Sequence, residues 1–380
     1  MRSNYDVLGK HIRLVDFRNK DEVTNTVLGI SINKEFMSSV ANVIGTDLSR
    51  YKLIQKGMFA CNPMHVGRDE RLPIALYKDD IPAIVSPAYF MFEIIDPTIL
   101  DMDYLMMWFR RPEFDRECWF MTDGSVRGGI TWDDLCRIRI PVPPIEKQRS
   151  IVNAYQTVTD RIALKRKTNQ NLSAILDSKL NDIYDSLDDE RLTSLDKICD
   201  LTSSKRVFAE DYAISGIPFY RGKEISLKQA GEPITDPLFI EKSHFAILKE
   251  KYGIPQKGDI LITAVGTIGN SYLVQDEEFY FKDGNIIWLK NFAFDLNYYI
   301  YDFMQTKLFK QMLEGICIGS TQTALTIAAL SKFQIKIPET GVLRKYTSFS
   351  KLIRSRIELN TLEIYYLHEL QADILADLSC

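Results

Sequence analysis

The sequence predicts an α/β (α+β) protein with two globular heads in tandem, each followed by a long α-helix, the two helices pairing as an antiparallel coiled coil. Three observations carry that expectation: an internal repeat, a change of hydrophobic period after each head, and an apolar stripe on each helix that is unfavourable in water. The chain has 380 residues, the length of two or three domains at roughly 100 to 200 residues each. The expected partition is head one at 1–142, a first helix at 143–188, head two at 189–337 and a second helix at 338–380.

The repeat is read directly. Gly124-Ser125-Val126-Arg127-Gly128-Gly129-Ile130-Thr131 falls on Gly319-Ser320-Thr321-Gln322-Thr323-Ala324-Leu325-Thr326, a shift of 195 residues. The register continues without a gap through Leu135 and Leu330, Ile138 and Phe333, Ile140 and Ile335, and Pro143 and Pro338, so an alternating strand runs into a proline twice. Upstream, Phe114 falls on Phe309, while Gly57 and Gly258 align at 201, which implies loops of different length. Within the heads, short apolar runs such as Ile81 to Ile95 and Ile260 to Val274 are broken by Gly, Pro and Asp, as strands with turns are. Helical patches interrupt them at Asp103 to Phe109 and Tyr298 to Leu313.

After each head the period becomes helical. Pro143-Pro144-Ile145-Glu146 places proline in a first turn and an acid at the positive end of the dipole. Ile151, Tyr155, Val158, Ile162, Leu172, Leu176, Ile183 and Leu187 then form a stripe interrupted by Lys165 and Asn169. Some forty residues of helix span roughly 60 Å. Phe349, Ile353, Ile357, Ile364, Leu367, Ile374 and Leu378 form the second stripe. The order head, helix, head, helix favours antiparallel pairing, giving a two-ended caliper; the alternative lays each helix only on its own head.

Composition excludes several classes. Hydrophobic residues at 46% and charged residues at 26% do not describe a disordered or low-complexity chain. No apolar run approaches the roughly 18 residues of a membrane span, and Met1 to Lys10 lacks a secretory pattern. Six scattered cysteines and four scattered histidines suggest reduced thiols, a cytoplasmic location and no metal site. A net charge of −4 argues against a protein coated in nucleic acid but permits local basic patches.

Catalytic signatures are absent from the sequence: it has no G-x-x-x-x-G-K-[ST], no H-E-x-x-H and no G-x-S-x-G. Val265-Gly266-Thr267-Ile268-Gly269-Asn270 reads as a turn, because it lacks a third glycine in register and a following helix. Asn62-Pro63-Met64-His65 lacks the second proline and aromatic of an amino-methyltransferase motif. What remains suits recognition. In head one Asn62, His65, Arg68, Arg71 and Arg127 lie in polar loops; in head two Arg221, Lys223, Thr263, Thr267, Lys282, Ser320, Thr321 and Gln322 do. Arginine forks onto guanine, amides onto adenine and hydroxyls onto phosphate are the contacts of a DNA reader; the alternative is that these loops are merely solvated.

Several segments together resemble the specificity subunit of type I restriction-modification systems. They are Ile217-Pro218-Phe219-Tyr220-Arg221-Gly222-Lys223, Gly258-Asp259-Ile260-Leu261-Ile262-Thr263, Gly266-Thr267-Ile268-Gly269, Lys282-Asp283-Gly284-Asn285-Ile286-Ile287 and Gly319 to Thr326. Ile140-Pro141-Val142-Pro143-Pro144-Ile145-Glu146-Lys147-Gln148 looks like the start of that family's central conserved helix, and Ile84-Val85-Ser86-Pro87-Ala88-Tyr89 is similar to a strand of its target-recognition domains. The resemblance implies two target-recognition domains reading the halves of a bipartite double-stranded DNA target. It also implies helices that dock two methyltransferase subunits, with restriction/translocase subunits in the full complex. Catalysis would belong to those partners, with S-adenosylmethionine, ATP and Mg bound there and no cofactor on this chain. One departure is that Pro338-Glu339-Thr340-Gly341-Val342-Leu343 lacks the double proline and the glutamine of the first helix start. The competing expectations are a coiled-coil scaffold that binds only protein, or the detached recognition region of a fused restriction-methylation enzyme.

Overall fold

A computed structural model describes residues 5–39, 45–64, 66–122, 128–317 and 324–378. Head one contains β1 (Tyr5–Val7), β2 (Ile12–Val15), β3 (Val27–Ile30), β4 (Phe36–Ser38), β5 (Lys52–Ile54), β6 (Phe59–Cys61), α1 (Val66–Asp69), β7 (Ile74–Leu76), β8 (Ala83–Val85), β9 (Phe90–Ile94), α2 (Met102–Phe109), α3 (Pro112–Phe120), α4 (Trp132–Arg137) and β10 (Arg139–Pro141). The long helix α5 (Ile145–Asp185) follows. Head two contains β11 (Leu192–Ser194), β12 (Asp200–Thr202), β13 (Tyr212–Ala213), β14 (Ile217–Tyr220), α6 (Gly222–Ala230), β15 (Leu238–Ile240), α7 (Lys242–Tyr252), β16 (Ile260–Thr263), β17 (Ser271–Leu273), β18 (Tyr280–Phe281), β19 (Ile286–Lys290), α8 (Leu296–Gln305), α9 (Lys307–Glu314), α10 (Ile327–Ser331) and β20 (Gln334–Lys336). The second long helix is α11 (Thr340–Asp377).

The duplication is structural. In head one the sheet order is β2-β9-β6-β7, in head two β12-β19-β16-β17, and all pairings within both are antiparallel. The two-stranded pairs β1-β10 and β11-β20 close each head in the same way. Strands β6 and β16 are buried along their whole length, which explains why they read as continuous apolar runs rather than alternating ones. The aligned residues Phe114 and Phe309, Leu135 and Leu330, Ile138 and Phe333, and Ile140 and Ile335 are all core. Thr131 and Thr326 cap α4 and α10 in turn, accepting from Asp134 N and Ala329 N at 3.1 Å each. The copies differ in their other sheet. Its order is β4-β3-β8-β5 with the parallel pair in the centre, against β13-β15-β14-β18 with the parallel pair at one edge.

One helical patch divides. The stretch Tyr298 to Leu313 is two helices broken at Thr306, whose hydroxyl donates to Phe303 O (2.7 Å) and accepts from Phe309 N (3.1 Å) to cap α9. The side chain's local bonds replace a continuous helix.

By compactness the chain divides into Met1–Ile162 with Tyr366–Cys380, and Ala163–Tyr365, so each unit holds one head and pieces of both long helices. In the first unit Ile151, Val152, Tyr155, Ile374, Leu375 and Leu378 pack into the core of head one. Gln148, fully buried, donates to Ile99 O (2.8 Å) and Pro143 O (2.7 Å) and accepts from Asp101 N (2.9 Å). Gln371 Nε2 donates to Thr159 Oγ1 at 2.8 Å, joining the helices. In the second unit Lys165 meets Glu363 at 2.7 Å, while Asn360 donates to Asn169 at 2.8 Å. Residue numbers rise on α5 as they fall on α11, so the helices are antiparallel. The anticipated stripe is buried at Val158, Ile162 and Ile364 and half-buried at Ile151, Tyr155, Leu172, Ile353, Ile357 and Leu367. Lys165 and Asn169, which interrupt it, are the residues that make the polar cross-links; such buried polar pairs favour one register over others.

In the second unit α11 is also tied to head two through Asp302, which is 1% exposed. Its carboxylate accepts from Tyr346 (2.8 Å), Ser350 (2.5 Å) and Arg354 Nε (2.8 Å), residues on successive turns of α11. Replacing Asp302 with alanine leaves Arg354 buried without its partner, a change that costs about 3–5 kcal/mol. The expected result is early amide exchange of residues 340–357 in D302A, with exchange in head one unchanged; equal protection of 340–357 in wild type and variant would refute this account.

Candidate nucleic-acid interface

Four segments of head two converge. The turn after β16 begins at Ala264, whose carbonyl accepts from Leu325 N (2.9 Å) and whose amide donates to Asn285 O (2.8 Å). That brings residues 264–269, the turn 282–285 and the segment entering α10 side by side. Lys282 N bonds Tyr220 O at 2.9 Å, which puts the 282–285 turn beside Arg221 and the start of α6. Glycines at φ +79 (Gly266) and +88 (Gly269) make the β16–β17 turn possible, and a Cβ on Gly269 would meet Leu313 at 2.7 Å. Head one repeats the tie: Ile130 N bonds Pro63 O at 3.2 Å and Gly67 N bonds Gly128 O at 3.0 Å.

The sequence-predicted residues fall into distinct roles. Thr263 is fully buried, its hydroxyl donating to Thr267 O and accepting from Asn270 N (3.1 Å), so it braces the turn and offers nothing to solvent. Arg221 is clamped: Nη2 and Nε donate to Glu224 at 2.7 and 3.1 Å, and the Arg221 amide donates to the same carboxylate at 2.8 Å. Burial pushes the Glu224 carboxyl up, but its hydrogen bonds from Arg221 outweigh burial and hold it below the usual carboxylate range. Lys223 and Thr267 are exposed and Lys282 half-buried. In head one Arg68 forks onto Asp69 (2.6 and 2.9 Å), Asn62 accepts from Met64 N (3.1 Å) to shape its turn, and Arg71 is exposed. His65, Arg127, Ser320, Thr321 and Gln322 lie outside the described residues.

Two cations escaped sequence reading. Lys205 lies over the Tyr252 ring at 5.2 Å, and Arg206 pairs with Asp283 at 3.1 Å, beside Lys282. The signal was there in Ser203-Ser204-Lys205-Arg206, a hydroxyl and basic run whose Ser204 hydroxyl bonds Phe281 O at 2.6 Å. Among the described residues no cluster of three or more His, Cys, Asp or Glu is placed to hold a metal, and no helix is long and apolar enough to cross a membrane. Burial raises the thiols of Cys61, Cys118 and Cys199, the last to about 12, which leaves them poor nucleophiles.

Residues 191–365, the span that carries these converging turns, match the family model for the type I restriction modification DNA specificity domain. A type I restriction enzyme specificity subunit of Haemophilus influenzae is 33% identical over 229 residues, covering 57% of this chain. The chain spans about half, 55%, of that relative's length. A crystal structure of the S subunit of a type I restriction-modification system from M. genitalium superposes with a TM-score of 0.57 at 15% identity, covering 99% of this chain and 96% of that one. The likeness at that identity is one of fold, and it extends over both heads. Within the matched residues, Arg221 is already paired with a buried acid, Glu224.

Glu224 has a depressed folded pKa, so the clamp's stabilisation is complete above the ordinary carboxylate range and is lost as pH falls through the folded value. Glu224→Gln is expected to destabilise α6 by about 2 kcal/mol near neutrality. The gap from wild type should narrow as pH falls below about 4. Amide exchange of α6 at both pH values checks it, and a gap independent of pH would sink the assignment.

Proposed function

We propose that this chain is the noncatalytic sequence-reading subunit of a type I restriction-modification complex. Each head reads one half of a bipartite duplex target, and the helices dock two methyltransferase subunits and set the half-site spacing. Methyl transfer to adenine and ATP-driven translocation and cleavage belong to partner subunits in the cytoplasm, with S-adenosylmethionine, ATP and Mg on those chains. The observation that carries this reading is that the specificity-domain family model covers the same residues whose turns, tied by main-chain bonds, carry Arg221, Lys223, Thr267 and Lys282. The repeated tie in head one supports a second reader on the same plan. Protein docking on the helices is supported by an apolar row on α11 outside the paired stripe: Leu352, Leu359 and Leu362 are 70%, 56% and 50% exposed.

The test is to express the chain with its methylating partners and map methylated adenines across genomic DNA. A gapped two-part motif that disappears when this chain is omitted is the expected result; methylation that persists unchanged with an active methyltransferase would favour a protein scaffold. Lys223 and Lys282, with no carboxylate partner among the described residues, suit phosphate contacts. Replacing either with alanine should weaken binding to all sequences alike and flatten the slope of log K against log salt by about 0.9. A change in the preferred sequence without a change in slope would contradict that role.

A further inference from the structure

Ser226, on α6, stands at the centre of a small polar cluster. Its hydroxyl donates to Gly222 O at 2.8 Å, one turn back. The same oxygen lies 2.9 Å from Asn270 Nδ2, a donor without acceptor capacity, and 2.9 Å from Thr267 Oγ1. Ser226 has one proton and two lone pairs. All three contacts are satisfied together in one arrangement only: Ser226 gives its proton to Gly222 O and accepts from both Asn270 and Thr267. The Thr267 hydroxyl proton is thereby committed inward. Its backbone is fixed as well, since Thr267 O accepts from the buried Thr263 hydroxyl and Gly269 N bonds Thr263 O at 3.0 Å. The exposed side of Thr267 Oγ1 therefore carries lone pairs and no proton.

Building on the DNA-reading function proposed above, we infer that Thr267 is a specificity-determining residue that accepts a hydrogen bond from a base amino group and does not contact phosphate. A phosphate oxygen is itself an acceptor and repels such an oxygen. In the major groove the donors are the N6 amino group of adenine and the N4 amino group of cytosine, whereas guanine O6 and thymine O4 only accept. Thr267 thus selects adenine or cytosine at one position. The neighbouring cations Lys223 and Lys282 take the phosphates, so the turn divides base reading from backbone contact within a few residues. Ser226 and Asn270 are positioning residues that act through Thr267.

The experiment uses the full chain in complex with its methyltransferase partner and selects binders from duplexes randomised at every position of the target. Wild type should show a position restricted to adenine or cytosine. Thr267→Val, which keeps the shape and removes the oxygen, should lose that restriction by roughly tenfold at that position alone, and Thr267→Ser should keep it. Ser226→Ala frees the Thr267 proton, so thymine or guanine should become acceptable at the same position while overall affinity holds. Thermal unfolding and amide exchange of α6 identify variants that have lost the turn itself. A specific wild type whose preferences are unchanged in Thr267→Val and Ser226→Ala would overturn the inference and leave the proposed function standing. Loss of affinity for every sequence alike, with a flatter salt dependence, would make Thr267 a phosphate contact and overturn it too. A wild-type complex with no sequence preference would overturn the proposed function and the inference together.

Discussion

The backbone bond from Leu325 N to Ala264 O, with its counterpart from Ile130 N to Pro63 O, is the constraint on which each head is organised. It joins the end of a fully buried strand to the segment that enters a short capped helix. From that short helix the chain passes through β10 or β20, which pairs with the first strand of its head, and directly into a long helix. The turn after the buried strand, the closing strand pair and the root of a long helix are therefore fixed to one another by main-chain bonds. Exposed side chains in the turns, such as Thr267, can change without breaking these bonds, whereas Thr263 and the glycines at 266 and 269 belong to the frame.

The two copies hold their helices by different chemistry at aligned positions. Gln148 roots α5 with three hydrogen bonds to the main chain of head one, while its counterpart Leu343 is simply apolar and buried. Asp302 ties α11 to head two, while its counterpart Met107 is again apolar and buried. These two buried polar anchors sit at different places along their helices. This accounts for the missing double proline and glutamine at the second helix start: the fixing interaction has moved from the first turn to Tyr346, Ser350 and Arg354, farther along the helix.

The repeat, both long helices and the paired stripes were legible in the sequence because they rest on periodicity and a gapless register, which burial enforces. The sheet orders were not, since the pairing of β3 with β8 or β14 with β18 joins residues far apart with no local signature. At the candidate site, sequence reading singled out segments that main-chain bonds bring together, and it missed the local bonds of single side chains. Thr263 looked like a surface hydroxyl because a threonine at the end of an apolar strand carries no mark of the bond it makes four residues on. Arg221 looked free, although Glu224 three residues later at a helix start is a local signal of capping that could have been read. Lys205 and Arg206 were passed over because nothing nearby in sequence places them beside the 282–285 turn.

Three arginines, one in head one and two in head two, share a feature with a consequence for a protein of net charge −4. Arg68 is held by Asp69, Arg206 by Asp283 and Arg221 by Glu224. Under the DNA-reading function, each must exchange a carboxylate for DNA before it contributes. An exposed, screened phosphate contact returns little beyond what the ion pair already supplies. A bidentate guanine contact, worth about 1–3 kcal/mol of discrimination, offsets far more of that cost. Arg221 faces the highest threshold, because releasing Glu224, 1% exposed, strands a buried charge. Under that function, pairing of this kind would suppress binding to random duplex while leaving Lys223 and Lys282, which have no carboxylate partner among the described residues, to steer the encounter. For a DNA reader, an acidic chain with pre-paired arginines would in that sense be better suited to selective reading than a uniformly basic one, because its attraction to DNA would depend on the sequence that releases its arginines.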